Sequence, residues 1–319
     1  MSLIPLSECH ELLICPRCRS EIVPGKAHYS CSSDACPCSA AHRFPIVDRW
    51  PVMVDFEQSV LIEHDLLATA ASSPVSRPKG AGLKERILQY LVPTASPVSA
   101  GIIRQFCQLV KSVRERPVVL VVGGGRVGDD NRELYEDPAV RVISFDIYAS
   151  NTVQFIADAH QIPLRDASVD GVLIQAVLEH VLEPWRVVAE IHRVLGTGGL
   201  VYAETPFLQQ VHEGPYDFTR FTESGHRFLF KRFEAIRSGV LEGPGTQLLW
   251  TINHVANGVF RSRRIGTLFR IAFGWIKHLD RIIPADFATD SACSVFLLGR
   301  KSTTELSGRD VARWYRGAQ

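Results

Sequence analysis

Six of the chain's eight cysteines, Cys9, Cys15, Cys18, Cys31, Cys36 and Cys38, fall within its first 38 residues. Thiols this crowded in a chain that reads as cytoplasmic point to a metal rather than to disulfides. A tetrahedral zinc site needs four soft or borderline ligands, and two cysteine-bearing turns supply them. Cys15-Pro16-Arg17-Cys18 is the first turn, and Cys31 opens the second, where Cys36 and Cys38 are both feasible as the fourth ligand. Closing all four positions with protein ligands makes the metal structural. Cys107 and Cys293 stand in apolar sequence and read as small core residues.

A second constellation begins at VVLVVGGGRVGDD, an apolar run leading straight into Gly123-Gly124-Gly125 and then Gly128. Glycines let the backbone turn sharply and approach a ligand, and a following helix start offers unpaired N–H donors. Asp146, about twenty residues on, ends the next apolar run and suits ribose hydroxyls, as in NAD or S-adenosylmethionine (SAM).

A third lies in ETPFLQQVHEGPYDFTRFTESGHRF (204–228), which mixes Glu204, His212, Glu213, Tyr216, Asp217, Arg220 and His226 with aromatics. His212 is the candidate base, because imidazole titrates near neutrality and Glu213 or Asp217 would orient it. Tyr216 and Asp217 suit substrate positioning. His180, in LEHV, is a further catalytic candidate, against the blander reading of a turn cap.

These groups must be positioned by a scaffold, and the hydropathy pattern supplies one. Apolar runs at 117–123, 140–146, 153–158, 169–175, 198–206, 233–241 and 292–300 read as seven strands, with an amphipathic helix at 184–195. Continuous apolar strands separated by helices imply a doubly wound parallel sheet covered on both faces. Residues 1–58 form a compact first unit ending in FPIVDRWPVMV (44–54), a strand-like stretch broken by Pro45 and Pro51. Residues 59–115 read as a helical connector, with candidate helices in EQSVLIEHDLLATA (57–70), GLKERILQYL (82–91) and from Pro97 to about Arg114. Residues 116–302 form the α/β unit and 303–319 a C-terminal tail. Within the α/β unit, 245–285 is a helical insertion or cap. Its stretch 245–279 carries Arg261, Arg263, Arg264, Arg270 and Lys277 and no acid, so a lid, a peripheral membrane contact or an anionic partner are open alternatives to a plain helical cap.

The 319 residues carry 35 basic and 34 acidic side chains, a formal charge of +1, with 46% hydrophobic residues. Disorder is excluded, and so is wholesale coating of nucleic acid. With no apolar run of ~18 residues and no basic leader before the first apolar stretch, a cytoplasmic location is expected.

The ordered elements Gly123–Gly125, Asp146, Asp158-Ala159, SVDGVLIQ, LEHV and RVLGTGG resemble the class I SAM-dependent methyltransferases over residues 117–210. The resemblance implies that the Gly123–Gly125 turn hugs the methionine moiety and that Asp146, with Ile147 beside it, binds the ribose. It implies that Asp158 reaches the adenine amine, flanked by Ala159 and His160, and that Gln175 borders the sulfonium. Two departures stand out: Val121-Val122 replace the family's acid before the first glycine, and Val127 its third glycine. The text LLICPRC, a later cysteine pair and FPIVDRWPVMV resemble the small zinc ribbon that activates tRNA and translation-factor methyltransferases, with Arg49-Trp50 where Gly-Ile is usual. Together they imply a SAM-dependent methyltransferase acting on O or N of a small-molecule or glycan-like acceptor, with a structural zinc on Cys15, Cys18, Cys31 and Cys36. Alternatives are an RNA or translation-factor methyltransferase with its activator fused in cis, and a non-catalytic SAM-binding scaffold.

Overall fold

A computed structural model describes residues 2–36, 43–69, 71–73 and 96–319. Among the described residues eleven strands form one sheet: β1 Ile22–Val23, β2 His28–Cys31, β3 Phe44–Val47, β4 Trp50–Met53, β5 Val118–Val122, β6 Arg141–Asp146, β7 Phe155–Ala157, β8 Val169–Gln175, β9 Leu195–Pro206, β10 Phe233–Glu242 and β11 Ser294–Lys301. Their order across the sheet is β1-β2-β3-β4-β7-β6-β5-β8-β9-β11-β10. All seven strands expected in the α/β unit form, from β5 to β11. The run from β7 through β9 is parallel, whereas β11 lies antiparallel between β9 and β10. Burial on both faces produces the same continuous apolar run in either direction, so sequence pattern does not reveal this reversal.

Strand β5, buried at every position, lies between β6 and β8 with its C-terminal end at the glycine turn. The helix Pro97–Val113 starts on a Ser96 side-chain cap with proline at its first turn. It buries Ile102, Phe106 and Val110, one per turn, and Phe106 and Val110 press onto Gly171 of β8, where a Cβ would overlap them. On another flank Pro184–Val194 buries Val187, Val188, Ile191 and Val194 in the main core. The helix expected over 57–70 forms only across Glu63–Ala68, preceded by a short 3-10 turn at Phe56–Gln58. The one expected at 82–91 lies outside the described residues.

The stretch 44–54 is two strands rather than one. Asp48 takes a left-handed backbone (φ 56°), folding it into a hairpin in which Ile46 faces Pro51 and Val47 faces Trp50. Both prolines are accommodated within these short strands, which is why they did not signal the turn. Strand β4 then pairs in parallel with β7, Val52 beside Ile156 and Met53 beside Ala157, and buries Val52, Met53 and Val54 almost completely. The cysteine-bearing segment is thereby joined to the sheet through its backbone ladder.

Residues 244–290 form the expected helical cap: Pro244–Phe260, Arg263–Ala272, a 3-10 stretch Gly274–Arg281, and Ala285–Asp290. Asp280 accepts backbone N–H bonds from Gly245 (2.6 Å) and Thr246 (3.1 Å), capping the first helix. The cap leaves Val255, Val259, Phe260, Leu268, Trp275 and Ile282 exposed beside its cations. None of the described helices is long and apolar enough to cross a membrane. The C-terminal residues include a helix, Gly308–Trp314, held by a Ser307–Asp310 capping box and by Trp314 Nε1 donating to Glu223 (3.0 Å).

Candidate active site

At the C-terminal ends of β5, β6 and β8 a cavity of about 820 Å³ opens, in the position where open α/β sheets bind ligands. Gly123 turns the chain there with φ +74°, and a Cβ on it would overlap Val177. Only glycine satisfies both demands. Gly124 and Gly125 do not line the cavity. They form its back, where Gly124 is packed against Ser144 and Tyr135, and Gly125 N donates to Asp146 Oδ2 (2.8 Å). The other Asp146 oxygen accepts from Ile147 N (2.7 Å), so this acid both braces the glycine turn and faces the cavity.

Asp158, Ala159 and His160 line the same cavity after β7. Asp158 Oδ1 meets His160 Nδ1 (2.6 Å) and Ser59 donates to the other oxygen, while His160 Nε2 accepts from Glu183 N (3.2 Å). His160 is thus fixed as the tautomer that donates from Nδ1. Burial works to raise the Asp158 carboxyl, but the His160 and Ser59 bonds outweigh it and hold it below the ordinary range.

Gln175 ends β8 inside a polar network that sequence inspection missed. Its amide donates to Asp130 (2.9 Å) and Glu204 (3.1 Å) and accepts from Asn131 (2.9 Å). Ser99 donates to Asp130 (3.0 Å) and to Glu204, which also accepts from Tyr202. Burial raises the Glu204 carboxyl. These members are scattered from 99 to 204 in the chain, so no local motif announces them. They place acids beside the glycine turn although Val121-Val122 hold none.

Glu179, His180, His212 and Tyr216 line the same cavity. Ala176, immediately after β8, is held in a left-handed conformation (φ 50°) and begins the bend that returns Leu178–His180 to the cavity. Glu179 is fully buried, and neither carboxylate oxygen has a hydrogen-bond partner among the described residues. Burial pushes its carboxyl up to about 8. Its Oε1 lies 3.6 Å from His180 Nε2 and 3.8 Å from His212 Nε2, and the two imidazoles meet edge to face at 4.9 Å.

Asp217 sits behind His212 rather than in the cavity. Its Oδ2 accepts from His212 N (2.9 Å), faces His212 Nδ1 (3.4 Å) and accepts from Arg220 (3.0 Å). Burial opposes ionisation, but Arg220 and the His212 amide bring this carboxyl down to about 2. Arg220 also donates to the Gln209 (2.9 Å) and Gln210 (3.2 Å) carbonyls, tying the loop down. Tyr216 contributes its backbone carbonyl, which meets His180 Nδ1 at 2.7 Å. His226 does not belong to this group: it is fully buried against Phe230 on the helix Glu223–Leu229. Its place on an amphipathic stretch, with apolar residues one turn away, was the missed signal. Glu179 was missed because a single acid in apolar text shows no periodicity.

Away from the cavity, Cys15, Cys18, Cys31 and Cys36 bring their sulfurs within 4.8 Å of one another. Cys15 Sγ and Cys36 Sγ are 3.8 Å apart, and Cys18 Sγ and Cys31 Sγ 3.4 Å. Four converging thiols fit a tetrahedral zinc. The structure places Cys36 as the fourth member. Cys38 lies outside the described residues, and Cys9 is buried elsewhere with its thiol on the Pro5 carbonyl (3.6 Å).

Residues 131–203 match the family model described as a methyltransferase domain. No curated protein matches the chain. Among solved structures, the chain is similar to a SAM-dependent methyltransferase from Archaeoglobus fulgidus, with 16% identity over 68% of this chain and 99% of that one, TM-score 0.42. It is similar to the Burkholderia thailandensis 1,6-didemethyltoxoflavin-N1-methyltransferase, solved with S-adenosylhomocysteine, with 18% identity over 72% and 94%, TM-score 0.39. It is also similar to a chain from the Haloferax volcanii complex of the Trm112 methyltransferase activator with a methyltransferase, with 17% identity over 66% and 99%, TM-score 0.40. The matched segment spans β6 to β9 and the part of the cavity lining from Asp146 to Glu179, so this stretch of the chain is similar to a methyltransferase domain. The Gly123 turn, Asp146 at the end of β6, Asp158 just after β7 and the size of the cavity are chemically suited to a SAM-sized cofactor.

Proposed function

We propose that the chain transfers the methyl group of SAM to an oxygen or nitrogen of a small-molecule or glycan-like acceptor, with hydroxyl oxygen favoured. The observation carrying this reading is the pairing, in one cavity, of the cofactor wall with the Glu179–His180–His212 wall. Asp146 would hold the ribose, Asp158 the adenine end, and the Gly123 turn the methionine moiety. Asp130 and Glu204 would face its ammonium group, replacing the acid absent before Gly123. SAM supplies an electrophilic methyl on a positively charged sulfur. The protein must align the acceptor with it and relieve the hydroxyl of its proton. His212 is the group that takes this proton, with Asp217 and Arg220 holding it in place, and Tyr216 and His180 shape the acceptor side. We divide the chain into a zinc ribbon (1–58), a connector (59–115), the catalytic unit (116–302) and a C-terminal segment (303–319).

Incubation of the zinc-loaded protein with SAM and a panel of polyols, aminosugars and glycans, read by mass spectrometry, is expected to give acceptors heavier by one methylene. Transfer confined to RNA or to a protein substrate would instead support the fused-activator alternative.

The exposed apolar residues of the cap, flanked by Arg261, Arg263, Arg264 and Lys277, favour a contact with an anionic membrane surface through 245–279. Co-sedimentation with phosphatidylglycerol vesicles at low salt is expected, and it should weaken as salt is added. Equal recovery with neutral and anionic vesicles would remove this contact.

A further inference from the structure

We propose that Glu179, His180 and His212 form a divalent-cation site on the acceptor wall, distinct from the cysteine cluster. The inference rests on the acceptor reading above and revises it in one respect: His212, the proton acceptor of the metal-free site, becomes a ligand when the cation is bound.

Three observations converge on it. The first is proximity: one ligand atom from each of Glu179, His180 and His212 lies within 4.8 Å of the others, with Glu179 Oε1 3.6 Å from His180 Nε2 and 3.8 Å from His212 Nε2. The second is how the rings are held. Metal-binding histidines use one ring nitrogen for the ion and donate the other N–H to a carbonyl or carboxylate, which fixes tautomer and orientation. His180 Nδ1 meets the Tyr216 carbonyl at 2.7 Å, leaving Nε2 as the free lone pair. His212 Nδ1 lies 3.3 Å from the Gln210 carbonyl and 3.4 Å from Asp217 Oδ2, again leaving Nε2 toward Glu179. Both rings are therefore presented as ligands of the same centre.

The third observation is the carboxylate itself. Glu179 is fully buried, both oxygens lack hydrogen bonds, and the Phe218 amide (2.7 Å) bonds its backbone carbonyl instead. A buried, unsatisfied carboxylate costs free energy unless a cation answers it. Arg220 is committed to Asp217 and to loop carbonyls.

Two imidazoles and one carboxylate suit a borderline ion such as manganese, iron, cobalt or zinc, rather than a soft one or calcium. Three protein ligands leave positions open toward the cavity, as catalytic sites require. An acceptor offering two adjacent oxygens, such as the vicinal diol of a sugar, fills two of them. Coordination lowers the pKa of the bound hydroxyl. Its proton passes to solvent water and the oxygen lone pair attacks the methyl carbon. As the C–O bond forms, the C–S bond breaks with its electron pair remaining on sulfur. The products are a methyl ether, neutral S-adenosylhomocysteine and one proton. With the cation bound, His212 serves as a ligand, and water rather than imidazole receives the proton.

The test is a titration with Mn2+ alone of the chain holding one zinc per molecule by metal analysis, so that only the cysteine cluster is filled, free Mn2+ being counted by electron paramagnetic resonance. One Mn2+ per chain is expected, lost by at least about tenfold in Glu179→Gln and in His180→Ala, and kept in the control His254→Ala on the cap. Retained binding of S-adenosylhomocysteine by the variants verifies that they fold. No Mn2+ bound by the wild type, or equal binding by Glu179→Gln, would overturn the site. Methyl transfer at full rate with only the ribbon zinc present would also overturn it while leaving His212 as the proton acceptor. Stoichiometric, Glu179-dependent Mn2+ binding supports the cation site even where every hydroxylated acceptor fails, and that failure would fall on the acceptor reading.

Discussion

His212→Ala is expected to lower methyl transfer by roughly 10²–10⁴-fold while leaving affinity for S-adenosylhomocysteine within about twofold of wild type. The split follows from position. His212 stands on the acceptor wall, its ring 4.9 Å from His180 and its Nε2 directed at buried Glu179. The cofactor wall is built from Gly123, Asp146 and Asp158 and draws no hydrogen bond from it. Asp217→Asn removes the anion facing His212 Nδ1 and one partner of Arg220, and an intermediate loss is expected from it. Rates are to be measured at saturating SAM with the acceptor found by mass spectrometry. An unaltered rate for His212→Ala removes this residue from the chemistry. A parallel collapse of cofactor affinity would show that the substitution acts through folding instead.

Loss of the ribbon metal is expected to be the largest stability effect available in this chain. Structural zinc binding is worth ~10–16 kcal/mol in isolated zinc-binding peptides, and part of that is folding free energy. The four sulfurs anchor the segment whose strand β4 extends the sheet beyond β7 and buries Val52, Met53 and Val54. Unfolding the ribbon would therefore strip cover from Phe155 and Ile156, both fully buried. At roughly 2–4 °C per kcal/mol for a chain of this order of size, calorimetry should show the melting midpoint falling by more than about 10 °C in a chelator. Cys18→Ser should do the same without chelator. Metal analysis confirming zinc loss with an unchanged midpoint would disprove the coupling.

The central strands were legible because burial on both faces writes them as unbroken apolar runs. Val118–Val122 and Val169–Gln175 are examples. The residues at or just after their ends were therefore legible as positions, and Gly123, Asp146, Asp158 and Gln175 all line the cavity. Strand direction carries no such mark, and the reversal of β11 was invisible. The hairpin at 44–54 was hidden because its turn depends on the left-handed backbone of Asp48, a residue with no obligatory turn signature. The polar network is invisible in one dimension, since Ser99, Asp130, Gln175 and Glu204 meet only through the topology of the sheet. His180 and His212 were legible as residue types able to titrate, but their shared partner Glu179 was not. Its role comes from complete burial between two segments more than thirty residues apart.

Calorimetric titration of the zinc-loaded protein with SAM and S-adenosylhomocysteine tests most directly whether this cavity is the methyl-donor site. One site per chain is expected, weakened by at least about tenfold, or ~1.4 kcal/mol, in Asp146→Ala, whose carboxylate braces the glycine turn. Absence of binding to the wild-type chain, or undiminished binding by Asp146→Ala, would contradict it.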